Sequence, residues 1–321
     1  MMNKTIKRIA LVLILVVICL PIAAKETYLY AKKDTSSLYL DIHRATAGTL
    51  SDFQGVPKPT IIHLFGGGFK SGTRDAAHLL KYYQMLNDNG YNVVAIDYRL
   101  GMKNYKMGNG LVGIAKSVTA FYASQQMGVE DLYSAILFLA SHPELGIDVH
   151  NLVLSGNSAG AIISLASAYV VANGEAEGLP EHFQFKGVLG FAGGIISLRG
   201  APKFETLPCP ILFFHGINDN VVAYNHLGAF GRGIWGSNYL AAQLKKKGGN
   251  YSIYRFKDRA HDVASYMTYL WAEEKTFLES NVMHQTPCII DALVDNPALP
   301  VRKEWSTITP QEMYNGGGVT Q

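Results

Sequence analysis

Three residue types that together turn a hydroxyl into a nucleophile occur here in settings that would expose each of them. Ser158 stands in Gly156-Asn157-Ser158-Ala159-Gly160, between the apolar run LVLS and the helically spaced AIISLASAY, within residues 152–169. A strand that ends in Gly-Xaa-Ser-Xaa-Gly and passes straight into a helix forces its serine into a tight turn. The hydroxyl is then presented at the carboxyl edge of a sheet, beside the free N–H groups of a helix N-terminus. A serine hydroxyl is a poor nucleophile at neutral pH and needs a base, which in turn needs a carboxylate to orient it. Asp219 follows the apolar run PILFFHG, and His261 follows YSIYRF, so each is expected in a loop at a strand's carboxyl end. The chemistry such a set performs is acyl transfer, which also needs donors aimed at a developing oxyanion. Gly66-Gly67-Gly68 follows the run PTIIHLF, and the backbone N–H groups of Gly67, Gly68 and Ala159 are expected to supply those donors.

Other residues compete for these roles. His215 ends an apolar strand and reads as a hydrogen-bonded structural histidine, while Asp258 and Asp262 flank His261 too closely to aim a carboxylate back at its ring. Each of these two aspartates is expected to be solvated or to cap a helix. The histidines at 43, 63, 78, 142, 150, 182, 226 and 284 show no paired metal-ligand spacing, so no metal is expected.

The elements that must position these groups alternate. ETYLYAKKDTSSLYLDIHR reads as a β-hairpin, and PTIIHLFGGG and YNVVAIDYRL read as strands covered on both faces. Helices are expected over RDAAHLLKYYQMLNDNG, from Glu130 to Ser141, from Ala159, and from Asp262 to about Val282. Leu152–Ser155, FKGVLGFAG, PILFFHG and YSIYRF complete a mostly parallel sheet with helices on both faces, the α/β class. Gly101–Val129 and Val221 to about Gly236 lack a period and are long for connections, as lids or pocket walls are. Tyr122, Phe230 and Trp235 in those segments, with Phe69 and Asn157 beside the glycine triplet and the serine, are the expected substrate contacts; packing beneath a loop is the alternative for the aromatic ones.

These ordered motifs resemble the α/β-hydrolase superfamily, and within it the carboxylesterases related to hormone-sensitive lipase. The resemblance covers roughly Ser37 to Val282 and rests on GGGF, VVAIDYRL, GIDVHNLVLSGNSAGA, HGINDNVV and AHDV, with the triad in the order Ser158, Asp219, His261. It implies ester hydrolysis without a cofactor. Similar proteins with a secretory leader often remove acetyl or feruloyl groups from plant polysaccharides, which makes a small or carbohydrate-linked ester the implied substrate. A peptidase similar to prolyl oligopeptidase, and a ligand-binding protein that kept the fold without the chemistry, are the rival readings. In one respect the chain departs from the pattern: Phe65 stands directly before the glycine triplet, where the family usually has histidine, and His63 lies two residues earlier.

Composition sets the outer bounds. The 321 residues carry a formal charge of +3 with 17% charged and 48% hydrophobic residues, which gives no sign of a nucleic-acid surface. Lys4, Lys7 and Arg8 precede IALVLILVVICLPIAA, so residues 1–24 read as a signal peptide; an uncleaved membrane anchor is the alternative, and Ile18 argues against lipid attachment at Cys19. A secreted or periplasmic location without further membrane contact follows, with a hydrolase domain at 25–283 and a C-terminal extension at 284–321 packing on it. Cys209 and Cys288 then remain, as a disulfide or as two thiols, at the sheet edge away from the catalytic residues.

Overall fold

The computed structural model describes residues 25–46, 49–302, 305 and 307–315, so the leader expected at residues 1–24 lies outside them. Among the described residues no helix is long and apolar enough to cross a membrane.

Strands β1 (Glu26–Lys33) and β2 (Ser36–His43) form the antiparallel hairpin. The runs without alternation become β3 (Thr60–Leu64), β4 (Val93–Ile96), β5 (Leu152–Asn157) and β6 (Gly187–Phe191), all buried along their whole length. A strand covered on both faces has no solvent side to mark with polar residues, which is why these segments read as continuous apolar runs. With β7 (Gly194–Ser197), β8 (Ile211–Gly216), β9 (His226–Ala229), β10 (Arg232–Gly236), β11 (Tyr251–Phe256) and β12 (Ile290–Val294) they make two sheets. The large sheet has nine strands in the order β1-β2-β4-β3-β5-β6-β8-β11-β12, parallel from β4 onward, and the small one is β7-β10-β9. Helices α1 (Ala77–Asp88), α2 (Gly110–Ser141), α3 (Ala159–Ala172), α4 (Ser237–Lys247), α5 (Trp271–Phe277) and the short α6 (Pro310–Asn315) connect or follow them.

Four expectations are corrected. Gly101–Val129 is not irregular, because α2 starts at Gly110 and runs for 32 residues. Its first turns bury Gly113, Ser117, Ser124, Gln125 and Gly128 and expose Leu111, Val112 and Ile114, so the apolar face that normally marks a helix is turned outward. Val221–Gly236 holds the β9–β10 hairpin. The single helix expected from Asp262 is broken into the short turns His261–Ser265 and Met267–Tyr269, then α5, then a wide turn over Leu278–Met283. Cys209 and Cys288 are free thiols. They lead into β8 and β12, which β11 separates, and strands two apart in a sheet lie roughly 10 Å from each other, more than the ~7 Å a disulfide spans.

Residues 284–315 add more than an irregular tail: β12 pairs in parallel with β11, and Leu299, Trp305, Met313 and Tyr314 are buried.

The hairpin side of the sheet is locked by a buried ion pair. Asp131 on α2 has no exposed surface and accepts from the Arg99 backbone N–H at 2.7 Å and from its Nε at 3.0 Å, with Lys33 Nζ 3.3 Å away. Removing the guanidinium leaves the buried carboxylate to Lys33 and one backbone N–H, so Arg99→Leu is expected to lower stability by about 1–3 kcal/mol, read from urea denaturation midpoints.

Candidate active site

The serine turn is built by steric necessity. Between β5 and α3, Ser158 takes φ 53° and ψ −119°, a conformation that costs a residue with a side chain about 1–3 kcal/mol. Its N–H donates to the Phe191 carbonyl at 2.8 Å, and its own carbonyl accepts the first bond of α3, from Ile162 at 3.0 Å. The flanking glycines are there because nothing larger fits. A Cβ on Gly156 would run into the backbone of Gly160, and one on Gly160 would overlap the carbonyl oxygen of Leu64 at the end of β3.

Strand pairing brings the partners to the same edge. β8 carries Asp219 on the loop past its carboxyl end, and β11 beside it carries His261 on the next loop. The Ser158 hydroxyl lies 2.8 Å from His261 Nε2, and His261 Nδ1 lies 2.8 Å from Asp219 Oδ2. The other carboxylate oxygen accepts from the N–H groups of Val221 and Val222 at 2.8 and 2.9 Å. All three side chains are buried. Burial alone would raise the Asp219 pKa, but the adjacent imidazoles of His261 and His215 outweigh it and hold the carboxyl well below the usual range.

His215 is a hydrogen-bonded histidine in the core, and it also joins the triad, which the sequence does not announce. Its Nδ1 is 2.8 Å from Ser237 Oγ, while Nε2 faces the Val222 carbonyl at 3.0 Å and Asp219 Oδ2 at 3.3 Å. Asp258 is exposed. Asp262 is not solvated: it is buried, accepting from the Ala260 N–H and the Tyr266 hydroxyl at 2.8 Å each, and so braces the loop that carries His261.

The glycine loop packs against the serine turn. Gly67 and Gly68 have φ of 128° and 62°, and Gly160, one residue past Ala159, lies against Leu64 and Phe65 where the loop begins. Phe65 is held without a polar side chain, stacked on Tyr98 at 4.4 Å, and the Tyr98 hydroxyl donates to the Phe65 carbonyl at 2.7 Å. At the other end of the loop the Tyr314 hydroxyl donates to the Gly68 carbonyl. His63 does not stand in for the expected histidine. It points into the core at 3.1 Å from Ser155 Oγ, and burial pushes its pKa down to about 3.

Of the expected substrate contacts, Asn157 alone lines the cavity of about 290 Å³ against His261. Phe69 is buried at the edge of Tyr98, Trp235 is buried under His226 and Tyr239, Tyr122 packs half-buried on the core, and Phe230 projects into solvent from the β9–β10 turn. The cavity is shaped instead by Arg302 and Trp305, far along the chain. Among the described residues no three His, Cys, Asp or Glu side chains gather as a metal site.

No protein-family profile and no curated protein sequence matches the chain. Its backbone is similar to solved structures of esterase 2 from the Planctomycetes species Thermogutta terrifontis. The propionate-bound form superposes with a TM-score of 0.56 at 22% identity over 81% of this chain and 95% of that one. The paraoxon-phosphorylated form gives 0.55 and 22% over the same shares. The chain has the α/β-hydrolase fold. In this hydrolase fold β5, α3 and the strands either side are the parts that place Ser158, and β12 extends the sheet beyond the strands that bear the triad.

The charge on Asp219 has a pH signature. A carboxyl whose folded pKa lies below the unfolded value, about 3.8 here, contributes stability that is complete above that value and is lost as the pH falls through the folded pKa. Acidification below about pH 5 is therefore expected to lower the urea midpoint more steeply in the wild type than in Asp219→Asn.

Proposed function

We propose that the protein is a serine esterase that hydrolyses small carboxylic esters through an acyl-enzyme. The observation that carries this reading is the unbroken chain from the Ser158 hydroxyl through both nitrogens of His261 to Asp219, with 2.8 Å at each link. The hydroxyl donates to Nε2, and Nδ1–H donates to the carboxylate, so the imidazole is held in the tautomer that can accept a proton. Ser158 attacks the ester carbonyl while His261 takes its proton. The oxyanion meets the N–H groups of Gly67, Gly68 and Ala159, each such donor being worth about 3–4 kcal/mol in acyl transfer. His261 then gives the proton to the leaving alcohol, and water releases the acid by the same steps in reverse.

Further support comes from the Thermogutta esterase, solved with propionate and butyrate bound and with its protein phosphorylated by paraoxon, which favours a short acyl group and a reactive serine. A carbohydrate acetyl or feruloyl ester is the finer form of the proposal. It rests on the resemblance together with the apolar leader, residues 1–24, which favours export from the cytoplasm.

Ser158→Ala is expected to reduce turnover of p-nitrophenyl acetate by about 10³-fold or more and to abolish covalent labelling by a fluorophosphonate. Wild-type turnover in that variant would refute the mechanism. No labelling of the wild type would favour a ligand-binding role, and faster cleavage of aminoacyl naphthylamides than of esters would favour a peptidase.

A further inference from the structure

The wall of the cavity facing His261 is built by the segment that follows β12, not by the central sheet. Arg302 and Trp305 form it, opposite His78 at the start of α1 and Asn157 in the serine turn. The Trp305 ring is buried, 5.5 Å from that of His261. The segment is pinned from the histidine loop: Arg259 Nη2 donates to the carbonyls of Asn296 and Leu299 at 3.1 Å each, and the Tyr266 hydroxyl, whose one proton is shared with Asp262 Oδ2, lies 2.6 Å from that of Pro300. Arg302 comes two residues after the last of these anchors.

The described residues of the lining carry one sign of charge. Among the described residues that form it, Arg302 carries a permanent charge and none is a carboxylate. Burial, and then the field of Arg302, holds His78 below the usual histidine range, so at neutral pH its imidazole is a hydrogen-bonding partner and not a second cation. A guanidinium that shares a cavity lining with an indole and alanine side chains, partly withdrawn from water, favours a carboxylate, which it can engage by two parallel N–H bonds. The lining also says which half of an ester lies there. In the mechanism proposed above, His261 delivers its proton to the leaving oxygen, so the alcohol must lie on the imidazole's side, and that is where the cavity opens.

We infer that this cavity receives the alcohol half of the ester and selects ring alcohols that carry a negative charge, with Arg302 binding the charge and Trp305 covering the ring. The inference rests on the serine esterase reading and names the substrate class of that site. Its test compares 4-acetoxybenzoate with the neutral 4-acetoxybenzamide, two acetate esters of nearly equal shape, in the full chain. The wild type is expected to favour the benzoate in kcat/KM. In Arg302→Gln the benzoate-to-benzamide ratio is expected to fall by about tenfold or more, and Arg302→Lys to retain part of the preference. A wild-type ratio at or below one, or a ratio unchanged in Arg302→Gln, overturns the inference while leaving the esterase reading intact. Failure of the wild type to hydrolyse either ester overturns both.

Discussion

The site depends on one backbone conformation, that of Ser158 at φ 53° and ψ −119°. Left to itself a serine would relax out of it, so the surroundings must over-determine it. β5 is paired on both sides, by β3 and β6, and these pairings fix where the strand ends. α3, whose side chains are nearly all buried, cannot slide to relieve the turn without leaving apolar surface uncovered. Gly160 lets the helix approach the end of β3 so closely that moving one moves the other. The serine turn and the glycine loop are therefore one packing unit. The nucleophile and the proposed oxyanion donors hold their relative positions without any side-chain bond between them.

Beneath that unit the surroundings push buried titratable groups in opposite directions. Asp219 is kept ionised by two imidazoles and two backbone N–H groups. Below β5 lies a second buried polar group of opposite character: Glu274 has no exposed surface, and burial raises its pKa well above that of an ordinary carboxyl. The Tyr82 hydroxyl bonds it at 2.7 Å and also lies 3.2 Å from Ser155 Oγ, which adjoins the neutral His63. A low-dielectric interior strengthens every uncompensated charge. Burial thus drives this carboxyl and the neighbouring imidazole towards their neutral forms under the serine strand, while Asp219 is held as the anion bonded to His261.

How far this was legible in the sequence follows from where the physics is local. Strands buried on both faces announce themselves as apolar runs, and the turn at Ser158 needs glycines at fixed offsets, so the large sheet apart from β12, the serine, and the loops of Asp219 and His261 could be placed from residue types alone. The first half of α2 could not, because it packs on α3 through small and polar residues. Gly128 sits against Ile163, and Gln125 spends its amide on both backbone groups of Ile196 in β7, a contact between partners 71 residues apart. The approach of His215 to Asp219 was equally invisible, since it depends on how the loop after β8 folds back. A further signal is readable in Thr309-Pro310-Gln311-Glu312, a capping box with proline at the first helical position; Glu312 accepts from the Thr309 N–H at 2.8 Å, opening α6.

That helix explains how the glycine loop manages without the polar residue expected before its triplet. Phe65 can stack but cannot donate, so a hydrogen bond to the loop's far carbonyl has to come from elsewhere, and Tyr314 in α6 supplies it from 246 residues away. Lys70, two residues past Gly68, closes the contact by donating from Nζ to the Tyr314 carbonyl at 3.0 Å. Any Cβ at position 68 would collide with the Tyr314 hydroxyl, so the glycine there answers to the C-terminal segment as well as to its own positive φ. The same segment carries Arg302 and Trp305 to the cavity. The parts that would receive the oxyanion and the parts that would receive the alcohol thus hang from one stretch of chain outside the central sheet, and a change that loosens it acts on both at once.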